Sequence, residues 1–325
     1  MKKKILAFLL LGMLSACTST RITSSWKEFD KQLIINDLNK VSVVALFKNE
    51  ASRHKGNMIL LKHASNVPQC GIAIEILFKE AGVPAGLYTN LLIPGKKTDA
   101  LMADDRIKGA SPTGSDTAGG HLAAAACKNL KKCVLELGGS DAFIVLEDAD
   151  MDKTVDRAVV ARMNNTGQCC VAGKRFIVVE AVADEFLKKF TVKLVALRVG
   201  RPLGKDTQLG PPSSEEAAVH LEDQVKRSVK AGAKILLGGK RIDRKGANTE
   251  ATILTDIAPS MATYHEELFG LVASFYRVKD EREAIKLAND SPFGLGGSVF
   301  TNNIERGISV ACRIDTGMVF INHPT

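Results

Sequence analysis

From residue 57 onward the chain alternates short apolar runs with amphipathic stretches, and this alternation limits its fold more than any other feature. Residues 58–61 read as strand. Pro68 opens a helical pattern to residue 81, and Gly82 and Pro84 stop it. A strand follows at 87–93, a short helix at 96–103, a strand at 107–110, an alanine-rich helix at 115–129 and a strand at 133–137. Strands separated by helices at this spacing call for crossover units and a parallel sheet. The habit continues with strands at 142–146, 176–179, 235–237, 271–278 and 298–301 and helices at 151–162, 182–197 and 280–289. The fold class is therefore α/β.

Composition narrows the function classes. Apolar residues at 45% and charged residues at 25% suit a globular chain and exclude disorder. Aromatics at 5% leave little for stacking nucleic-acid bases, and the Lys and Arg behind the net charge of +8 are scattered, so no nucleic-acid partner is expected. Seven cysteines form no Cys-x-x-Cys pair, and no histidine lies at a zinc-forming spacing from them, so no metal site is expected.

The N-terminus reads differently. Lys2, Lys3 and Lys4 precede an apolar run at 5–14 that is too short to span a bilayer. Leu14-Ser15-Ala16-Cys17 then resembles a bacterial lipoprotein cleavage box. Residues 1–17 are thus expected to be a lipoprotein-type signal peptide, with Cys17 as a lipid anchor. Residues 18–55 read as an unrelated lipoprotein-like segment, containing a β-branched strand run at 41–47. The text changes character at residue 56.

Three short motifs carry chemistry. Glu136-Leu137-Gly138-Gly139 ends a predicted parallel strand, where open sheets place their ligands. Asn165-Thr166-Gly167-Gln168-Cys169-Cys170 sits in a loop whose glycine lets a thiol approach a ligand. Glu266-Glu267-Leu268-Phe269-Gly270 offers a carboxylate two residues from an aromatic ring. Taken singly, the first is also a plain strand exit and the double cysteine also a pair of small core residues.

Together these motifs resemble the aldehyde dehydrogenase superfamily, which reads Glu-Leu-Gly-Gly, Asn-x-Gly-Gln-x-Cys and Glu-x-Phe-Gly-Pro in that order. Glu136 precedes Cys170 by 34 residues and Glu267 follows it by 97, both as in the family. Lys62 in LLKHASNVP resembles a cofactor segment, Thr113-Gly114-Ser115 through Gly119 a Thr-Gly-Ser-x-x-x-Gly loop, and Ser291-Pro292-Phe293-Gly294-Leu295 and Gly317-Met318-Val319-Phe320-Ile321-Asn322 two C-terminal signatures. The wording is most similar to the bacterial NAD(P)-dependent succinate-semialdehyde dehydrogenase branch and covers residues 56–325.

The resemblance implies an aldehyde dehydrogenase-like fold, with an incomplete Rossmann-type cofactor domain at 56–137 and an α/β catalytic domain at 138–325. It implies Cys170 as the nucleophile that forms a thiohemiacetal and then a thioester, and Glu136 as the general base. Glu267 and Phe269 would hold the nicotinamide ribose and ring. Lys62, Ser65, Gly114, Ser115 and Leu137 would contact NAD or NADP, with Ser65 in place of an NAD-favouring glutamate leaving room for a 2′-phosphate. Ser115 also reads as an ordinary N-cap, and Cys169 as a small packing residue.

The family's Pro-Trp-Asn-Phe-Pro segment, bearing an oxyanion asparagine, has no counterpart here, and Asn322-His323-Pro324-Thr325 precede its Phe-Gly-Gly-x-Lys segment. Pro112 interrupts a strand, and Leu271 replaces a proline. Members are cytoplasmic homo-oligomers acting on small aldehydes. The leader instead implies export and membrane anchoring, and impaired assembly is expected. The alternative reading is an inactive dehydrogenase fragment fused to a lipoprotein leader.

Overall fold

A computed structural model describes residues 41–48, 57–243 and 246–325, the first of these as backbone. The expected signal peptide, Cys17 and most of the segment 18–55 lie outside the described residues. Among the described residues no helix is long and apolar enough to cross a membrane. The chain divides into two compact units, one ending at Leu137 and one beginning at Gly138.

The first unit is built on a five-stranded sheet in the order β3-β2-β1-β4-β5. Its strands are β1 (Val41–Lys48), β2 (Asn57–His63), β3 (Tyr88–Asn90), β4 (Ile107–Ser111) and β5 (Lys132–Cys133). Its helices are α1 (Pro68–Glu80), α2 (Thr98–Ala103) and α3 (Asp116–Lys128). The β2–β3 and β4–β5 pairs are parallel, as the crossover helices require. The central strand breaks the expected all-parallel pattern: β1 runs antiparallel to both β2 and β4. The eight residues 49–56 between β1 and β2 suffice for an antiparallel return but not for a parallel crossover, which needs a dozen or more.

Two small cores hold this unit. Met102, Ile107, Ala110, Leu122 and Ala126 pack beneath α2 and α3. Ile59, Leu61 and Tyr88 pack against α1, where Phe78 stacks on Tyr88 with ring centroids 4.5 Å apart. The strand expected over 133–137 is cut to two residues. Pro112, lacking an N–H, ends β4 at Ser111, and parallel bridging resumes beyond it between Thr113 and Glu136.

The second unit carries a seven-stranded sheet in the order β12-β11-β6-β7-β10-β9-β8. It comprises β6 (Asp141–Val145), β7 (Gly173–Val179), β8 (Lys234–Leu237), β9 (Thr252–Thr255), β10 (Val272–Val278), β11 (Gly297–Phe300) and β12 (Val319–Ile321). Every neighbouring pair is parallel except β8–β9 at one edge. Helices cover both faces, which is why β6, β7 and β10 read as apolar runs rather than alternations.

Phe143, Val145, Phe176 and Val178 point to one face, beneath α4 (Met151–Met163) and α5 (Glu180–Val195). Ala142, Ile144, Ile177 and Val179 point to the other, beneath α8 (Glu281–Asn289) and α9 (Ile304–Ala311). The first face is an aromatic core: Phe143 stacks on Phe300 at 4.2 Å, and Phe176 meets Phe190 at 4.9 Å. Three helices escape the sequence pattern, α6 (Glu215–Lys230), the single turn α7 (Ala262–His265) and α9.

Candidate active site

The cysteine motif lies between α4 and β7, and its backbone conformation is costly. Asn165, Thr166 and Gly167 all take left-handed angles, with φ of 51°, 58° and 71°. A β-branched threonine avoids this region, and each such non-glycine residue costs of order 1–3 kcal/mol. Side chains of the motif itself meet part of that cost. The Asn165 side-chain amide donates to the Gln168 carbonyl at 2.9 Å, and the Gln168 amide donates back to the Asn165 carbonyl at 3.3 Å. Gln168 Oε1 accepts from the Ser213 N–H at 2.7 Å. The conspicuous polar residues of this motif thus hold a loop.

Arg162, fully buried at the end of α4, fastens the loop from below. Its Nη2 donates to the Gly167 carbonyl at 2.5 Å and to the Gly270 carbonyl at 2.6 Å. The cysteine loop is thereby tied to the segment that carries Glu267 and Phe269. Burial lowers the guanidinium pKa to about 10, so it stays charged at neutral pH. Gly167 sits in this junction without room for a side chain: a Cβ there would lie 2.2 Å from the Gly270 carbonyl oxygen. Gly167→Ala is expected to shift the loop by a fraction of an ångström or more and to lower kcat by about 10²-fold, read from steady-state rates.

Cys169 and Cys170 emerge half-buried at the end of the loop. The Cys170 thiol donates to the Cys169 sulfur, and this hydrogen bond does most to pull the Cys169 pKa down to about 6, with Lys174 and Arg162 adding to it. The same bond, burial and the Cys169 charge push Cys170 up. The pair gives up its first proton early and holds its second.

Glu267 is anchored within the same unit. Its Oε1 lies 3.0 Å from Lys174 Nζ and accepts the Gly139 N–H at 3.2 Å. Gly138 makes room for this carboxylate, since a Cβ there would sit 2.2 Å from Oε2. Phe269 stays 37% exposed, whereas Leu271, in the proline position, is buried in the aromatic core. Helix α6 holds the neighbourhood from outside: Gln224 donates to the Glu267 carbonyl at 3.1 Å, and Arg227 grips Glu266 with two bonds of 2.8 Å. Arg162, Lys174 and Gln224 were not singled out in the sequence. Only an arginine and a lysine flanking a glycine-rich cysteine loop could have pointed to the first two.

The remaining predicted residues lie in the first unit. Glu136 is exposed on the last residues of that unit, held by backbone bonds to Pro112 and Gly114 of 3.0 Å each. Leu137 packs on α3 at Gly119, where a Cβ would be 2.3 Å from its Cδ2. Ser115 is the N-cap of α3, its Oγ accepting the Ala118 N–H at 3.2 Å. At Gly114 a Cβ would meet nothing within 4 Å. Lys62 is buried, gives a hydrogen to the His63 carbonyl at 2.5 Å, and has its pKa lowered by burial; Ser65 is exposed nearby in sequence.

Comparison with known proteins agrees with this arrangement. The model of the aldehyde dehydrogenase family matches residues 39–325. The NADP(+) succinate-semialdehyde dehydrogenase of Deinococcus radiodurans is 50% identical over 270 residues, which are 83% of this chain and 57% of that protein. A probable counterpart from Synechocystis is 49% identical over the same share of this chain and 60% of its own. Among solved structures, the succinic semialdehyde dehydrogenase of Streptococcus pyogenes in complex with NADP+ superposes with a TM-score of 0.81 at 41% identity, covering 84% of this chain and 60% of that one. The chain thus spans somewhat under two thirds of the length of these relatives. By fold, by motif and by these matches, it belongs to the aldehyde dehydrogenase family.

Proposed function

We propose that this chain carries the core of an enzyme that oxidises an aldehyde, succinate semialdehyde by its relatives' names, to the carboxylate with NADP+ or NAD+. The observation that carries the reading is the Cys169–Cys170 turn, its carbonyls held by the buried Lys174 and its loop tied by Arg162 to the Glu267 segment.

The residues suit a dinucleotide. A carboxylate that tolerates only glycine beside it at Gly138, an open backbone at Gly114 and a 13-residue helix beginning after Ser115 are the groups that ribose hydroxyls and a pyrophosphate need. Lys62 and Ser65, without a carboxylate in the Ser65 position, favour a cofactor with a 2′-phosphate. When bound, the cofactor supplies the hydride acceptor.

In the proposed chemistry Cys170 reacts as the thiolate, having given its proton to solvent, with the buried Lys174 cation favouring the charged form. The sulfur adds to the aldehyde carbon, and the Cys170 backbone N–H donates to the oxygen that becomes negative. Loss of hydride from that carbon leaves a thioester on Cys170. Glu136 takes a proton from water, which attacks the thioester carbonyl; the carboxylic acid product is released, the sulfur leaves as the thiolate and Glu136 returns its proton to solvent.

Residues 18–325, mixed with succinate semialdehyde and NADP+, are expected to produce aldehyde-dependent absorbance of the reduced nicotinamide. Folded protein that gives none with either cofactor would leave the inactive-fragment reading in place.

A further inference from the structure

Lys174 touches both the cysteine turn and Glu267. It lies on β7 with its side chain 1% exposed, and its ammonium has three hydrogens. Its nitrogen is 2.8 Å from the Cys169 carbonyl, 2.9 Å from the Cys170 carbonyl and 3.0 Å from Glu267 Oε1. Three hydrogens meet three acceptors, so the charge is satisfied although it is buried. Two of those acceptors are the peptide groups that fix where the thiols point. The third is the carboxylate on the cofactor side.

We propose that Lys174 is a positioning residue of the cysteine site, which locks the Cys169–Cys170 turn to Glu267 and supplies the positive field in which the thiolate forms. This inference rests on the cysteine chemistry proposed above and adds to it a residue that the motif itself does not name. Four charged groups surround the pair: Lys174 from β7, Arg162 from α4, Glu267 from the loop after α7, and Asp141 from β6 beside Lys174. Arg162 already spends its short bonds on Gly167 and Gly270. Lys174 bonds directly to the two cysteine carbonyls and is the cation whose removal changes the thiols most.

The test is the pH dependence of iodoacetamide labelling of the peptide containing residues 169 and 170, read by mass mapping so that the exposed Cys70, Cys127 and Cys312 do not enter. The labelling midpoints need no turnover, so they stand or fall apart from the aldehyde assay. In the parent protein the labelling rate is expected to rise with a midpoint near pH 6. Lys174→Met is expected to raise that midpoint by about one pH unit or more, a tenfold loss of thiolate below it. Lys174→Arg keeps the charge but not the three-way geometry, so its midpoint stays near the parent's while kcat falls.

Asp141 is pushed up to about 6 by burial and titrates in the same range, so the Met comparison is repeated in Asp141→Asn, where the shift persists. A soluble Lys174→Met protein with the parent's midpoint would overturn the proposal. So would an Arg variant whose midpoint rises as far as that expected for Met. If the Met variant does not fold, the Arg variant decides alone: an unmoved midpoint with reduced kcat supports the proposal, and a raised midpoint refutes it.

Discussion

Cys170→Ala is expected to lower aldehyde-dependent reduction of the cofactor by about 10⁴-fold or more, with an unchanged thermal melt, because removing a covalent nucleophile removes the whole route rather than one contact. Cys169→Ala gives the contrast. It leaves the proposed nucleophile in place and removes the neighbour whose hydrogen bond and charge push the Cys170 thiol up. Turnover in that variant is expected to be retained or raised, more so at pH 7 than at pH 9, because Cys170 then ionises more readily. Rates of both variants across pH separate the nucleophile from its neighbour. Equal losses at all pH values for both would contradict the division of roles.

Arg162→Met has the largest expected effect on stability. The side chain is wholly buried, and its loss leaves the carbonyls of Gly167 and Gly270 without their short bonds. Each buried carbonyl left unpaired costs about 1–3 kcal/mol, and the methionine fills much of the volume without satisfying either. A net loss of about 3 kcal/mol is expected, which lowers the melting temperature of a unit this size by about 6–12 °C. The left-handed run Asn165-Thr166-Gly167 has then lost the group that opposes its strain, so kcat falls with stability. Calorimetry and steady-state rates on one preparation test both. A variant that melts like the parent would show that the loop carries its strain without the arginine.

The second unit was largely legible in the sequence. Apolar runs such as 142–146 and 176–179 are buried on both faces, so they announce themselves without alternation, and α8 and α4 carry Asp caps at Asp280 and Asp150. Helix α6 was missed because its periodic apolar residues Ala218, Leu221 and Val225 are diluted by seven charged ones. The direction of β1 was readable only from the length of its link to β2. A β-branched run at 41–47 predicts a strand but not its orientation, and only the eight-residue link to β2 forces the antiparallel return.

In the site, the motif letters were legible but not the division of labour among them. Asn165 and Gln168 turn out to brace the loop, and Glu267 is held by Lys174. Those roles depend on contacts such as Arg162 with Gly270, 108 residues apart, that no local pattern encodes.

The central claim is that the sulfur of Cys170 becomes covalently attached to the substrate carbon. Rapid mixing of the protein with succinate semialdehyde and NADP+, acid quenching and peptide mass analysis tests it most directly. The account predicts one succinyl thioester on the peptide of residues 169–170, localised to Cys170 and absent without the cofactor. A folded, cofactor-reducing protein that carries no acyl group on that peptide, or carries it on Cys169, would contradict it.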